Sequence, residues 1–563
     1  MRVGRFLVAA AFAVLTTHCA SEEPKTEEAQ VTENVPGDLV ITSPTRAAFI
    51  EGEVGKTVEV KGTGATPDLT INGQKAEVAP DGSFHAKIKP AGGLNIIVAV
   101  DGESRLETPF LYGKFAPMTE PVAQAVALDI GAQGISGAPP AASITSVANQ
   151  FLESKNFAEM VEGMEQKGSV AGQSYTVTVT RARYEGITVG LAPRNGGLHA
   201  NVTVRGVAVD AKVTAKILFA TVNATLKATA TNATARGDAD ISLDEETGTV
   251  GAAMPSAEVK LDGFRIDVKG LPSVLDTIPT NVFRPMIERG LADFIKNELP
   301  KAVALTLEGL GLPKQLDLSA VGVQKPIPIA TKFDGLEFDN GGATVTASVL
   351  FGQPFKKEQP GGKAPGWLKL GGPLGDTERA SSLGVSVSLD SVNQLLFAAW
   401  GSGDLTVPVP DVLTLTDIKL TPKLPPVVAA TDKGAVRVAL GEVLIEANLA
   451  GKPFKAAVSV MQDVDPDMNG KELVLTPKGE PTLSITWLEA DNIVDAMRNI
   501  VTTGAKEQMG KLLKPFKFPF PTIALDALGG PFAGQSLALG MPEIDVDPKA
   551  ARLSLSGAMA LVR

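Results

Sequence analysis

Val202-Thr-Val-Arg-Gly-Val-Ala-Val-Asp-Ala-Lys-Val-Thr-Ala-Lys-Ile217 places apolar side chains at Val202, Val204, Val207, Val209, Ala211, Val213, Ala215 and Ile217. Successive side chains of an extended strand point to opposite faces, so this pattern predicts a long strand with one buried face. The same texture precedes it at Tyr175-Thr-Val-Thr-Val-Thr180 and continues over 226–235 and 257–268.

Outward from these strands the periodicity changes. A strand over 126–130 is followed by a helical stretch over 142–164, with Ile144, Val147, Phe151, Met160 and Met164 forming its stripe. After the strands comes a predicted long helix over 273–308, carrying Ile278, Val282, Met286, Ile287, Phe294 and Ile295. Pro279, Pro285 and Pro300 mark kinks or breaks in it, because proline removes a helix donor and clashes with the preceding turn. The order then repeats. Gly384-Val-Ser-Val-Ser-Leu389 predicts a strand leading into a helix over 390–400, with Asp390 as N-cap and Val392, Leu395, Leu396, Ala399 and Trp400 on one face. Alternating runs follow at 436–445 and 456–461, then a second long helix over 488–513 with Ile493, Val494, Met497 and Ile500. Strand-like segments at 536–540 and 553–561 close the chain.

Composition bounds the function. The chain has 563 residues, 57 of them glycine and 39 proline, which suits a β-rich protein of several domains. A net charge of −11 lacks the basic footprint of a nucleic-acid binder. The 3 histidines, His18, His85 and His199, are scattered, and no histidine triad or zinc-ligand spacing can be assembled. No enzymatic activity and no cofactor are therefore expected.

The single cysteine, Cys19, follows a basic start (Arg2, Arg5) and the apolar run Phe6–Leu15, too short to span a bilayer as a permanent helix. This arrangement resembles a bacterial lipoprotein signal over 1–18, which implies an acylated Cys19 holding the exported protein to a membrane. Ala20 and Ser21 follow, without the aspartate of inner-membrane retention, so the resemblance implies the outer membrane. Residues 19–37 are polar and acidic and read as a tether. Over 38–115, short strands with turn signals at Asn72-Gly73 and Asp81-Gly82 predict a β-sandwich. That stretch resembles the immunoglobulin-like spacers of bacterial surface proteins, including those beside glycan-degrading domains.

From 116 to 563, the duplicated order of elements, Ser391-Val-Asn-Gln-Leu-Leu-Phe397 after a strand and Phe518-Pro-Phe-Pro521 before the closing strands resemble the tubular lipid-binding superfamily of bactericidal/permeability-increasing protein. The resemblance implies an elongated boomerang with lipid tails inside. The expected fold class is thus α+β: an N-terminal β-sandwich, then two tandem barrel-like halves over 116–313 and 314–563, each a twisted antiparallel sheet wrapped on long helices. The predicted helices supply candidate lipid-lining residues: Val147, Phe151, Val282, Met286, Ile287, Phe294, Leu395, Trp400, Ile493, Met497 and Ile500. Helices with two apolar faces could meet acyl chains, another helix or an ordinary packed core.

Two further stretches carry alternative readings. Trp367 and Lys369, in a Gly/Pro-rich stretch with other lysines, fit either a peripheral membrane contact or a solvated loop. Asp463, Asp465, Asp467 and Asn469 alternate like calcium ligands or form a hairpin turn, and the Glu that closes a helix-loop-helix calcium site is missing at its expected offset. Asn201, Asn223 and Asn232 in N-x-T triplets fit threonine-rich strands. The expected function is lipid binding or transfer at the cell envelope, with a lipid or other acyl-chain ligand as partner. Alternatives are a structural or adhesive surface lipoprotein and an accessory to carbohydrate processing.

Overall fold

The computed structural model describes residues 31–33 and 39–562, apart from 138–141, 171, 218–219, 245, 271–282, 309–313, 317–325, 353–363, 373–379, 404, 406, 410–414, 450, 470–471, 490–515 and 520–522. The signal-like segment and Cys19 lie outside the described residues, as do Val282, Ile493, Met497 and Ile500.

The amino-terminal module is built from two small sheets. Val40–Ser43, Val58–Thr63, Phe84–Ile88 and Glu77–Val78 form one. Gly93–Asp101 and Ser104–Ala116 dominate the other, joined by the short pair Thr70–Ile71 and Gln74–Lys75 and by Ala48–Glu51. Asn72 and Gly73 turn that short pair with φ of 50° and 74°, the left-handed conformation a tight hairpin needs. Ile41, Val60 and Phe84 of the first sheet meet Ile97, Phe110 and Tyr112 of the second in one apolar core.

One eight-stranded sheet brings together strands from widely separated parts of the chain. Its order is Gln315–Leu316, Ile327–Asp339, Gly342–Phe351, Val122–Gly131, Leu383–Ser388, Arg552–Val562, Ser536–Asp547 and Ile523–Ala524. The strand that leaves the module therefore lies beside strands from late in the chain. Arg552, 2% exposed, donates from Nη2 to the carbonyl of Gln124 at 2.7 Å, holding the bulge between Val122 and Val126.

A second eight-stranded sheet is dominated by the hairpin Gly197–Ile217 and Ala220–Asp244, paired in one register from Gly197↔Asp240 to Ile217↔Ala220 with Gly206 and Thr231 left out of the ladder. Gln173–Arg183 and Gly186–Arg194 pair with the first arm, and Thr249–Ala253, Glu258–Asp262 and Arg265–Lys269 with the second. Its inner face is paved with valine and alanine, among them Val202, Val204, Val209, Ala224, Ala228 and Ala235, all buried. Helices α1 (Ala132–Ser136), α2 (Ile144–Ser154), α3 (Phe157–Val161) and α4 (Arg284–Glu308) share the core with that face.

The third eight-stranded sheet contains Leu415–Pro422, Val436–Leu449, Lys452–Asn469 and Glu472–Glu489. Ile418, Leu420, Ile445, Phe454 and Ile485 form its apolar cluster. Val31–Glu33 adds a parallel edge strand along Leu483–Ile485. Helix α5 (Leu389–Gly401) packs between this region and the first eight-stranded sheet.

The α+β expectation, with both halves wrapped on long helices, is corrected by these elements: the chain is mostly β. Strands of up to 25 residues carry the architecture, and among the described residues α4 is the one helix longer than 13 residues. The stretch 142–164 holds two short helices, because the chain leaves α2 at Lys155 and Asn156 re-caps α3 through its side chain to the Ala158 amide. Residues 488 and 489 still belong to the strand Glu472–Glu489, and the rest of the helix expected to 513 lies outside the described residues. Helix α5 begins one residue early, with Ser388 as the N-cap accepting from the Asp390 amide. Asp390 is thereby freed for a different role.

Candidate apolar binding site

Alanine and valine on the inner face of the long hairpin are short, so helices can sit close to the sheet. Gly290 of α4 makes the closest approach to α3: a Cβ there would lie 2.9 Å from Val161 Cγ1 and 3.3 Å from Met164 Sδ. Behind that crossing, Phe294 is fully buried and meets Phe157 edge-on, with ring centroids 5.4 Å apart. Phe157 in turn meets Tyr184 edge-on at 6.2 Å, and burial raises the Tyr184 hydroxyl above its ordinary pKa.

A small cleft opens where α3 and α4 leave the sheet. Phe157, Val161, Met164, Val179, Val209, Met286 and Ile287 line it, with no charged side chain among them. Its free volume is about 10 Å³, the size of a single water. An alkyl chain would have to displace side chains. Methionine is the residue type best able to yield, being unbranched with three rotatable bonds. At the rim, Arg289 donates from Nη2 to Gln166 Oε1 at 3.1 Å and Arg284 pairs with Glu288 at 2.9 Å.

The predicted lining residues divide between separate cores. Val147 and Phe151 of α2 and Met286, Ile287 and Phe294 of α4 share the core of the long-hairpin sheet, and Met286 and Ile287 reach the cleft. Leu395 and Trp400 belong to a different cluster around α5, with Phe397 and Trp367. Trp400 is fully buried and donates its indole N–H to the Pro422 carbonyl at 2.8 Å. Phe157, Val161, Val179 and Val209 were not singled out as lining residues. The alternation marked Val179 and Val209 as inward-facing, but nothing local tied them to α4.

The exposed position that both the membrane-contact and the solvated-loop readings give Trp367 is corrected. Trp367 is 1% exposed, in the strand Trp367–Lys369 paired antiparallel with the end of Ser104–Ala116, and its indole N–H donates to the Pro117 carbonyl at 3.2 Å. Lys369 points outward, 3.6 Å from Glu120. The calcium reading is also corrected. Asp463, Asp465, Asp467 and Asn469 all lie in the strand Lys452–Asn469, where Asp463 is held by Arg437 at 2.6 and 3.1 Å and Asp465 by Lys478 at 3.0 Å. No group of three or more potential metal ligands occurs among the described residues. His85 pairs with Glu77 in the module and His199 with Asp238 on the long hairpin, so the structure does not bring the two together.

Among the described residues no helix is long and apolar enough to cross a membrane. No known family profile matches the chain, and no curated protein matches it in sequence. Among solved structures it is similar to lipopolysaccharide binding protein, at 14% identity over 78% of this chain and 99% of that one, with a TM-score of 0.38. It is similar to P47 of Clostridium botulinum E1 at 9% identity over the same shares, 78% and 99%, with a TM-score of 0.26. Fibronectin(III)-like modules of Clostridium thermocellum CbhA match at 14% identity over 31% of this chain and 84% of theirs, with a TM-score of 0.11.

Proposed function

We propose that this protein is a lipid carrier that takes up an alkyl chain beneath α3 and α4, not a catalyst. The wholly apolar cleft flanked by Met164 and Met286, above a sheet face of small side chains, carries this reading. A ligand with a hydrocarbon tail gains about 0.8 kcal/mol for each methylene it buries, which offsets the displacement of two flexible side chains. The test is lipid extraction and binding of a fluorescent fatty acid by the intact protein and by Met286→Trp, which fills the cleft. The native protein is expected to yield extractable lipid, and the variant to bind the probe at least about tenfold more weakly, ~1.4 kcal/mol. Absence of extractable lipid together with no probe binding by the native chain would sink the reading in favour of a structural surface protein.

The reading includes attachment through an acylated Cys19 at the outer membrane, supported by the signal-like sequence before it. Cys19→Ser is expected to leave an unprocessed precursor or to release the protein from membrane fractions. Identical fractionation and migration of the two forms would remove the anchor.

A further inference from the structure

The amino-terminal module is tied to the rest of the molecule through a closed circuit of contacts. Lys114, Phe115 and Ala116, at the end of its last strand, pair with Lys369, Leu368 and Trp367. The next two amides, Leu370 and Gly371, donate to the carboxylate of Asp390 on α5 at 2.7 and 3.1 Å. One turn along, Asn393 makes two bonds to Val428: it accepts from the amide at 2.8 Å and donates to the carbonyl at 3.1 Å. The strand of Val428, Val427–Ala430, leads back to the module, where Val427 shares an apolar cluster with Leu94 and Leu111.

The return contact is closely fitted. A Cβ on Gly441 would lie 2.6 Å from Leu94 Cδ1 and 2.9 Å from Leu424 Cδ1, and one on Gly113 would lie 2.6 Å from Leu368 Cδ1. Beside Gly441, Glu442 is 4% exposed and accepts from Arg46 of the module at 2.5 Å. Arg46 also donates to the carbonyl of Glu107 at 2.8 Å. A buried pair of this kind is a poor source of net stability but is costly to separate, because parting it strands a charge away from water.

We propose that the amino-terminal module is a clamp on α5: the module interface, the strand Trp367–Lys369, α5 and the strand Val427–Ala430 open and close as one cooperative unit. Hydrogen bonds and packing tie each member to the next, so parting any one contact leaves buried donors or acceptors unpaired. The clamp does not depend on lipid binding.

Hydrogen exchange of the intact chain, read by mass spectrometry, tests it from both ends. Gly441→Ala wedges the module side and Asp390→Asn loosens the α5 side. Glu442→Gln, which adds no bulk but removes the charge paired with Arg46, takes its place should Gly441→Ala fail to fold. Each is expected to raise exchange by roughly tenfold or more at 367–371, α5 and 427–430 together, including elements the substitution does not touch, while the Gly197–Ile217 strand keeps its protection. Faster exchange confined to the mutated element would overturn the clamp. So would a uniform rise that includes the long hairpin, which would mean general loss of stability.

Discussion

Asn393→Leu is expected to lower the free energy of unfolding by about 2–6 kcal/mol, with the urea midpoint falling accordingly. Asn393 is 1% exposed, and its side chain substitutes for a neighbouring strand by bonding both the N–H and the C=O of Val428. Leucine fills nearly the same space but offers neither donor nor acceptor. Two backbone groups are then left buried and unpaired, at about 1–3 kcal/mol each. Gln394 beside it is equally committed, accepting from the Phe351 amide at 2.9 Å and donating to the Glu120 carbonyl at 2.7 Å. A loss below about 0.5 kcal/mol, the scatter expected of neutral surface changes, would show that the site relaxes or admits water.

Phe294→Ala is expected to cost about 3–5 kcal/mol. The ring is fully buried at the crossing of α4 with α3, and its edge-on contact with Phe157 contributes about 0.5–1.5 kcal/mol beyond area burial. The sheet below is fixed by the extended pairing of the long hairpin, so the wall cannot collapse into the vacated space. Far-UV circular dichroism through a urea titration measures the shift. A change under about 1 kcal/mol would mean that α4 moves to fill the gap, and that this core is looser than its burial implies.

What could be read from the chain before folding depended on how local the deciding contacts were. The strand character of Val202–Ile217 was legible because alternation is a property of neighbours, and its partner is the next segment of chain. The Asn72-Gly73 turn was legible for the same reason. Trp367 misled because its flanks are rich in glycine, proline and lysine, whereas the strand that covers it ends about 250 residues earlier, at Ala116. The acidic run at Asp463 read as a turn by composition. It is the arm of a hairpin that closes at Asn469↔Glu472, and Arg437 and Lys478, on the two neighbouring strands, neutralise Asp463 and Asp465 along it. The Asn393-Gln394 pair stood within a quoted motif, but as part of an amphipathic helix. That these amides complete other strands' backbone bonds emerges only when Phe351 and Val428 are brought beside them.

The unbroken register of the long hairpin limits how this protein can change length over generations. Every residue from Gly197 to Ile217 except Gly206 has a fixed partner between Ala220 and Asp240. Deleting one residue near Thr221, beside the turn, would turn the buried Ala224, Leu226 and Ala228 outward and send Thr225, Lys227 and Thr229 into the apolar interior. Substitutions can accumulate along these arms one at a time. Away from Gly206 and Thr231, where the inner face steps by three residues in both arms, insertions and deletions preserve that face only in steps of two, so homologues of this chain should differ here in lettering far more than in spacing.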